Sequence, residues 1–540
     1  MKKIILFIAL AVALMPGLAA TPERPKLVVG IVVDQMRWDY LVRYADRYGE
    51  GGFLRMLGEG YSFDNTNIDY IPTVTAIGHS SVYTGSVPAI HGIAGNYFRE
   101  GNRMVYCTED STVQGVGGDG YEGRMSPRRL LTTTVGDELR LATNFRSRVV
   151  AVSLKDRASI LPGGHTSNGS YWFDGKSGRF ITSTFYTDKL PGWVERFNAR
   201  NLPAKYLDQD WHTLYPIDSY RQSTPDDTHY EGPFANHDKP TFPIRTSKLY
   251  SKTNYGVIRT TPYGNTFTFD MAKAAIEGEE LGTRGETDML AISLSATDYV
   301  GHQFGVNAIE TEDTYLRLDR DMADFFAYLD KRVGKGQYLV FLTADHGAAH
   351  NHKFLIDHKI PAGSWKAGDK IDGFNAHLKN RFGVDGLVRF VSNYQIFLNR
   401  PLIAERGLDL GEVKKSIMQY AEGLEAVAFV IDQEKALITS VPELLRNRVV
   451  NGYNREGSGE VQIILKPGWM GTYGSETGTQ HGVWCPYDAH IPLVFMGWHV
   501  PHGRTARFVQ MTDIAPTVAS LLSIQQPNGC IGVPLAEICP

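Results

Sequence analysis

The sequence predicts an α/β protein organised around a mostly parallel sheet, and two observations carry that prediction. Nearly continuous apolar, β-branched runs recur at residues 26–33 (KLVVGIVV), 149–154 (VVAVSL), 288–294 (DMLAISL), 338–343 (YLVFLT) and 492–496 (PLVFM). Runs without polar alternation suit strands buried on both faces. Residues able to do chemistry then follow four of these runs within a few positions, at Asp34, Lys155, Asp298 and Asp345. The carboxyl ends of parallel strands are where open α/β sheets hold their ligands.

Composition narrows the class further. The chain has 540 residues, 42% apolar and 21% charged, as in an ordinary folded protein. That length fits one large domain carrying insertions. Lys+Arg 55 against Asp+Glu 59 gives −4, which makes no case for a nucleic-acid surface. Residues 1–20 (MKKIILFIALAVALMPGLAA) read as a secretory signal. Lys2 and Lys3 precede an apolar run too short to span a membrane, and small residues follow at a cleavage site. Cleavage removes both lysines, takes the net charge from −4 to −6, and implies a periplasmic or secreted protein. Cys107, Cys485, Cys530 and Cys539 permit disulfides in an exported chain. Cys530 and Cys539 are near enough in sequence to close a C-terminal loop, and no CxxC spacing marks a cysteine zinc site.

In chain order, the first buried run ends at Asp34, which suits a ligand and a cap on the next helix equally. Residues 71–81 (IPTVTAIGHSS) set Thr75 just before a helix over 76–83. Backbone N–H groups and the positive dipole end would then face an anion beside the threonine. A threonine hydroxyl needs an activator to serve as nucleophile. His79 and His91 read as structural, with no ligand-type partner at helical spacing. Asn96 lies in a Gly-rich turn, where it either closes an Asx-turn or donates to a ligand.

Lys155 and Arg157 project to one side if the chain stays extended, and such a pair suits a phosphate. From about 163 to 280 periodicity fades, as in an insertion on the working edge of the sheet. Asp298 and His302, four apart, share one face of a helical turn and suit one zinc. Asp345 and His346 follow the fourth run directly, while His350 and His352 read as supporting or surface residues. Residues 370–470 change texture: Leu410, Val413, Ile417 and Ala421 mark an amphipathic helix, with strands at 426–431 and 460–465 and a helix at 442–449. This predicts a small α+β cap. The sequence GTQHG presents His481 before the last run, and residues 512–522 close the chain as a helix capped by Thr512.

These groups divide into two sites. Asp298, His302 and His481 would hold one metal; Asp34, Asp345, His346 and the Thr75 oxygen would hold the other. Histidine with carboxylate suits zinc better than magnesium.

On these residues the sequence resembles the alkaline phosphatase superfamily, most closely its PafA-type, single-chain bacterial members. The resemblance spans nearly the whole mature chain. It rests on VVDQMRWDYL, PTVTAIGH, GNYF, SLKDR, TDYVGH, ADHG and the late His481. It implies an αβα sandwich over residues 21–540, two Zn2+ ions, and Thr75 as a nucleophile that forms a phosphothreonine intermediate. It also implies Asn96, Lys155 and Arg157 on the phosphoryl oxygens. The activity implied is a broad-specificity phosphomonoesterase acting on small phosphate monoesters, as a monomer with no nucleic-acid or membrane partner.

A phosphodiesterase of the nucleotide pyrophosphatase type shares every metal position. The Lys155/Arg157 pair favours the monoester, whose extra charged oxygen a diester replaces with a carbon substituent. An arylsulfatase needs C/S-x-P-x-R at the nucleophile, where this chain has Thr75-Ala76-Ile77. A phosphonoacetate-type hydrolase is a further competing reading. A non-catalytic exported zinc- or phosphate-binding protein is the reading from another class, and the complete ligand set with Thr75 argues against it.

Overall fold

The computed structural model describes residues 23–539 except 119, 236, 473 and 475. The signal-type segment 1–20 lies outside these residues. Five strands run parallel at the centre: β1 (Leu27–Val33), β2 (Val149–Ser153), β3 (Asp288–Leu294), β4 (Tyr338–Thr343) and Gly169–Asp174. Across the sheet the order is β4, β1, β3, β2, Gly169–Asp174. Every residue of β1 to β4 is buried, which is why their sequences show no alternation. The sheet then continues antiparallel on both sides, through β5 (Leu493–Gly497) next to β4 and Arg179–Ser183 at the far side. Among the described residues it has ten strands.

Strand register creates the working edge. Val33 pairs with Leu294, Val32 with Thr343 and Ser293 with Ser153, so β1 to β4 end nearly level. Asp34, Lys155, Asp298 and Asp345 therefore emerge together. Because β5 runs the opposite way, the segment preceding it, with His481, arrives at that same edge.

Helices cover both faces. Ala151 pairs with Ser170, and both meet the helix Arg157–Gly163. Phe173 is three residues on and therefore faces the other way. There its ring meets Phe267 of the helix Tyr263–Gly278 at 5.6 Å. The result is a helix–sheet–helix sandwich.

A second, four-stranded antiparallel sheet joins Val388–Ser392, Gln395–Leu398, Val461–Leu465 and Val427–Asp432. The helices Ala367–Phe382 and Leu410–Glu422 pack on it around Phe374, Val413, Ile417 and Ile463.

Some features depart from sequence expectation. The stretch from residue 163 opens with two strands of the main sheet, Gly169–Asp174 and Arg179–Ser183, before its irregular part begins. Their mixture of serine, aromatic and aspartate residues hides fully buried positions. Thr512 does not cap the closing helix Ile514–Leu521. It lies inside a preceding turn, where its hydroxyl donates to Asp69 at 3.4 Å, and Gln510 with Asp513 forms the capping box. All four cysteines are free thiols, so the Cys530–Cys539 loop that the sequence permits is not closed. Burial pushes the Cys107 and Cys485 thiols up to about 12.

Candidate active site

Asp34 follows β1, and Asp345 and His346 follow β4. Their ligand-type atoms lie within 4.8 Å of one another and all three residues are buried. His346 Nε2 is 3.7 Å from Asp34 Oδ1 and 3.4 Å from Asp345 Oδ2. These same three atoms have no hydrogen-bond partner among the described residues. Unpaired buried polar atoms are costly, and a cation placed among them would offset that cost. The donor set therefore fits a divalent metal.

A second group holds Asp298 and His302, one turn apart on the helix Ala296–Phe304, together with His481. His302 Nε2 lies 3.0 Å and His481 Nε2 3.7 Å from Asp298 Oδ1. The other ring nitrogens are tied to the backbone. His302 Nδ1 meets the Thr479 carbonyl at 2.9 Å, His481 Nδ1 that of Thr73 at 2.7 Å, and His346 Nδ1 that of Gly347 at 3.0 Å. Nδ1–H donation leaves each Nε2 lone pair facing the site, the way metal-binding histidines are oriented. The rings of His346 and His481 stack at 3.6 Å, which joins the two groups into one centre.

Lys155 sits between them, its Nζ 2.6 Å from Asp34 Oδ2 and 2.6 Å from Asp298 Oδ2. Burial works to lower the Lys155 pKa, but Asp298 and Asp34 hold it above the ordinary value. Burial and the charge of Asp345 push Asp34 well up. Burial also opposes ionisation of Asp298, yet His302 and Lys155 hold that carboxyl well below its usual range.

Thr75 is the first residue of the helix Thr75–Thr84 and is 1% exposed. Val74 is extended and Thr75 helical, so the first amides have no partner within the helix. One of them, Ala76 N–H, donates to Asn96 Oδ1 at 2.9 Å, leaving the Asn96 NH2 as a donor. A Cβ on Gly78 would stand 2.4 Å from the Asp345 carbonyl oxygen, so the missing side chain lets this helix lie against the end of β4. His79 Nδ1 contacts the Thr75 carbonyl at 2.9 Å and Asp345 Oδ2 at 3.4 Å, and its Nε2 contacts Ser293 Oγ at 2.8 Å. It ties the start of this helix to β3 through Ser293.

The chain does not stay extended between Lys155 and Arg157. Asp156 is the N-cap of the helix Arg157–Gly163, which turns the two cations apart. Lys155 reaches the carboxylates, whereas Arg157 Nη1 donates to the Tyr106 hydroxyl at 2.9 Å. Tyr106 in turn donates to Asp156 at 2.6 Å. Tyr106, Thr73, Thr479, Gln35 and Asp488 support the centre and follow no sequence pattern that would have singled them out. Asp488 accepts from Val483 N–H at 2.8 Å and from the Thr73 hydroxyl at 3.2 Å, and burial pushes it up to about 7.

The model of the type I phosphodiesterase / nucleotide pyrophosphatase family matches residues 28–488, a span containing every group described above. The chain belongs to this family. Among relatives, the alkaline phosphatase PafA of Elizabethkingia meningoseptica is 53% identical, over 95% of this chain and 94% of its own. A Myroides odoratus protein named calcium-transporting ATPase is 53% identical over 95% of both chains. The crystal structure of wild-type PafA superposes with a TM-score of 0.94 at 52% identity, covering 96% of this chain and 100% of that one. This family member thus has the PafA fold. Among its described residues no helix is long and apolar enough to cross a membrane.

Proposed function

We propose that this protein is an exported, broad-specificity phosphomonoesterase with two zinc ions and Thr75 as nucleophile. Hydrolysis of small phosphate monoesters rests on near full-length likeness to alkaline phosphatases, at 53% and 51% identity. The observation that most supports the metal reading is the convergence of three buried, unpaired atoms beside a second histidine–carboxylate group. Asp34, Asp345, His346 and Thr75 would hold one ion and Asp298, His302 and His481 the other. Two such ions, when bound, stabilise negative charge on the attacking and leaving oxygens.

The rest is the work of the chain. Thr75 gives up its hydroxyl proton and attacks phosphorus as the bond to the leaving oxygen breaks. That oxygen takes a proton from solvent and departs as the alcohol, and water then attacks phosphorus, releasing inorganic phosphate and restoring the Thr75 hydroxyl. The helix start behind Thr75 adds its dipole on the phosphoryl side. Asn96 supplies its NH2 and Arg157 its guanidinium to the phosphoryl oxygens, with Tyr106 orienting Arg157. Lys155, between the two acidic groups, adds a third donor and a second positive charge. Preorganised donors of this kind matter most where charge develops. A monoester carries one more charged oxygen than a diester, and three donors of this type reward it.

Export rests on segment 1–20, and a monomer is consistent with one chain holding every group of the centre. Residues 370–470 are read as a cap, because their core shares Val483 and Cys485 just beyond His481. Replacing the nucleophile tests the mechanism. Thr75→Ala should lose on the order of 10⁴-fold in aryl phosphate turnover while the protein still binds zinc. Undiminished turnover in that variant would refute the assignment.

A further inference from the structure

We propose that Gln35 is a positioning residue that ties the two metal groups together, holding Asp298 of one and Asp345 of the other. The inference rests on the two-metal reading above. Gln35 follows Asp34 directly and is buried, 4% exposed. Its backbone N–H donates to Asp345 Oδ1 at 3.1 Å, and its side-chain Nε2 donates to Asp298 Oδ1 at 2.6 Å. A carboxylate only accepts, so the amide must present its NH2 there. One residue thus fixes an oxygen of a carboxylate in each group, by bonds of the stronger, charge-assisted kind.

The backbone is bent to allow this. Gln35 has φ +66°, the left-handed region that side chains other than Asn or Asp rarely adopt. Such conformations persist where their surroundings over-determine them. Here the surroundings do: the Thr297 hydroxyl donates to the Asp34 carbonyl at 2.6 Å, and Asp34 N–H donates to the Leu294 carbonyl at 3.2 Å. The facing helix accommodates the amide in turn. A Cβ on Gly301, between Asp298 and His302 in sequence, would lie 1.9 Å from Gln35 Oε1. A glycine at 35 would relieve the backbone but lose the amide, and an alanine at 301 would displace it.

The test is zinc uptake by the full-length protein after chelator treatment. Competition against a fluorescent chelator gives the affinity of each equivalent, and thermal unfolding of the stripped protein gives a separate structural readout. Gln35→Met keeps the length and removes the donor. The expected result is a loss of about 10- to 100-fold in affinity for the equivalent held by Asp298, as for other residues behind a metal ligand. The stripped variant should melt within about 2 °C of stripped wild type. Lower melting with unchanged affinities would assign Gln35 a structural role and overturn the proposal. If Gln35→Met does not fold, Gly301→Ala moves the same amide from the other side and should weaken the same equivalent. Two zinc ions bound with wild-type affinity in every variant that folds overturns this inference alone. A wild-type protein taking up fewer than two overturns the two-metal reading and this inference with it.

Discussion

The two halves of the proposed metal centre use the same residue types in different surroundings. The side chains of Asp34, Asp345 and His346 are 0% exposed, whereas His302 is 28% and His481 10% exposed. The sealed half adjoins the Thr75 helix through Gly78 and Asp345. The open half faces the solvent side, through which an ester must enter and an alcohol leave. Under the proposed mechanism the nucleophile then belongs to the sealed half and the leaving oxygen to the open half.

The comparison breaks most clearly at Asp345. Asp345→Ala should release one metal equivalent, keep the other, and cost at least about 10³-fold in monoester turnover. Metal analysis beside a rate assay checks this, and loss of both equivalents would show the halves to be inseparable. Arg157→Ala touches neither half and reports on the phosphoryl side. It should cost about 10²- to 10³-fold on an aryl monoester, as for removal of one preorganised donor, and clearly less on a diester. Equal losses on both substrates would remove the argument for a monoesterase clamp.

A smaller, kinetic difference should appear on chelation. Metal should leave in two phases, the faster from the open half, because the surrounding shell controls solvent access. A single phase would contradict the difference in burial.

The smallest effect concerns His91, which packs behind the Thr75 helix with its Nε2 3.2 Å from Ser81 Oγ. Burial pushes His91 down from 6.5 to about 3. The unfolded chain therefore binds a proton there below about pH 6.5 that the folded chain refuses, and stability falls as pH drops from 6.5 toward 3. The slope is at most about 1.4 kcal/mol per pH unit. Melting temperatures between pH 7 and 5 should fall less steeply in His91→Gln than in wild type, and identical slopes would refute this.

Much of the centre was legible because parallel strands announce themselves twice, by unbroken apolar runs and by the ligand-type residues directly after them. Asp34, Asp345 and His346 each stand at the end of such a run, and Asp298 with His302 has helical spacing. The structure gathers Asp34, Asp345 and His346 into one set and Asp298, His302 and His481 into another. The geometry of Lys155 was not legible, because nothing in the spacing of Lys155 and Arg157 shows that Asp156 caps a helix between them. Gln35 carries no pattern at all, since its importance lies in a φ angle and in the absence of a side chain at Gly301. The strands Gly169–Asp174 and Arg179–Ser183 were hidden because aromatic and polar residues can be buried at a sheet's flank without the β-branched monotony of its centre.

One titration tests the central claim most directly. Chelator-stripped protein is reconstituted with zinc while hydrolysis of an aryl phosphate monoester and of the matching diester is followed against bound metal. The account predicts negligible monoester hydrolysis without metal, a steep rise as the second equivalent binds, and a rate well above that on the diester. Full activity at one equivalent or fewer, or faster turnover of the diester, would contradict it.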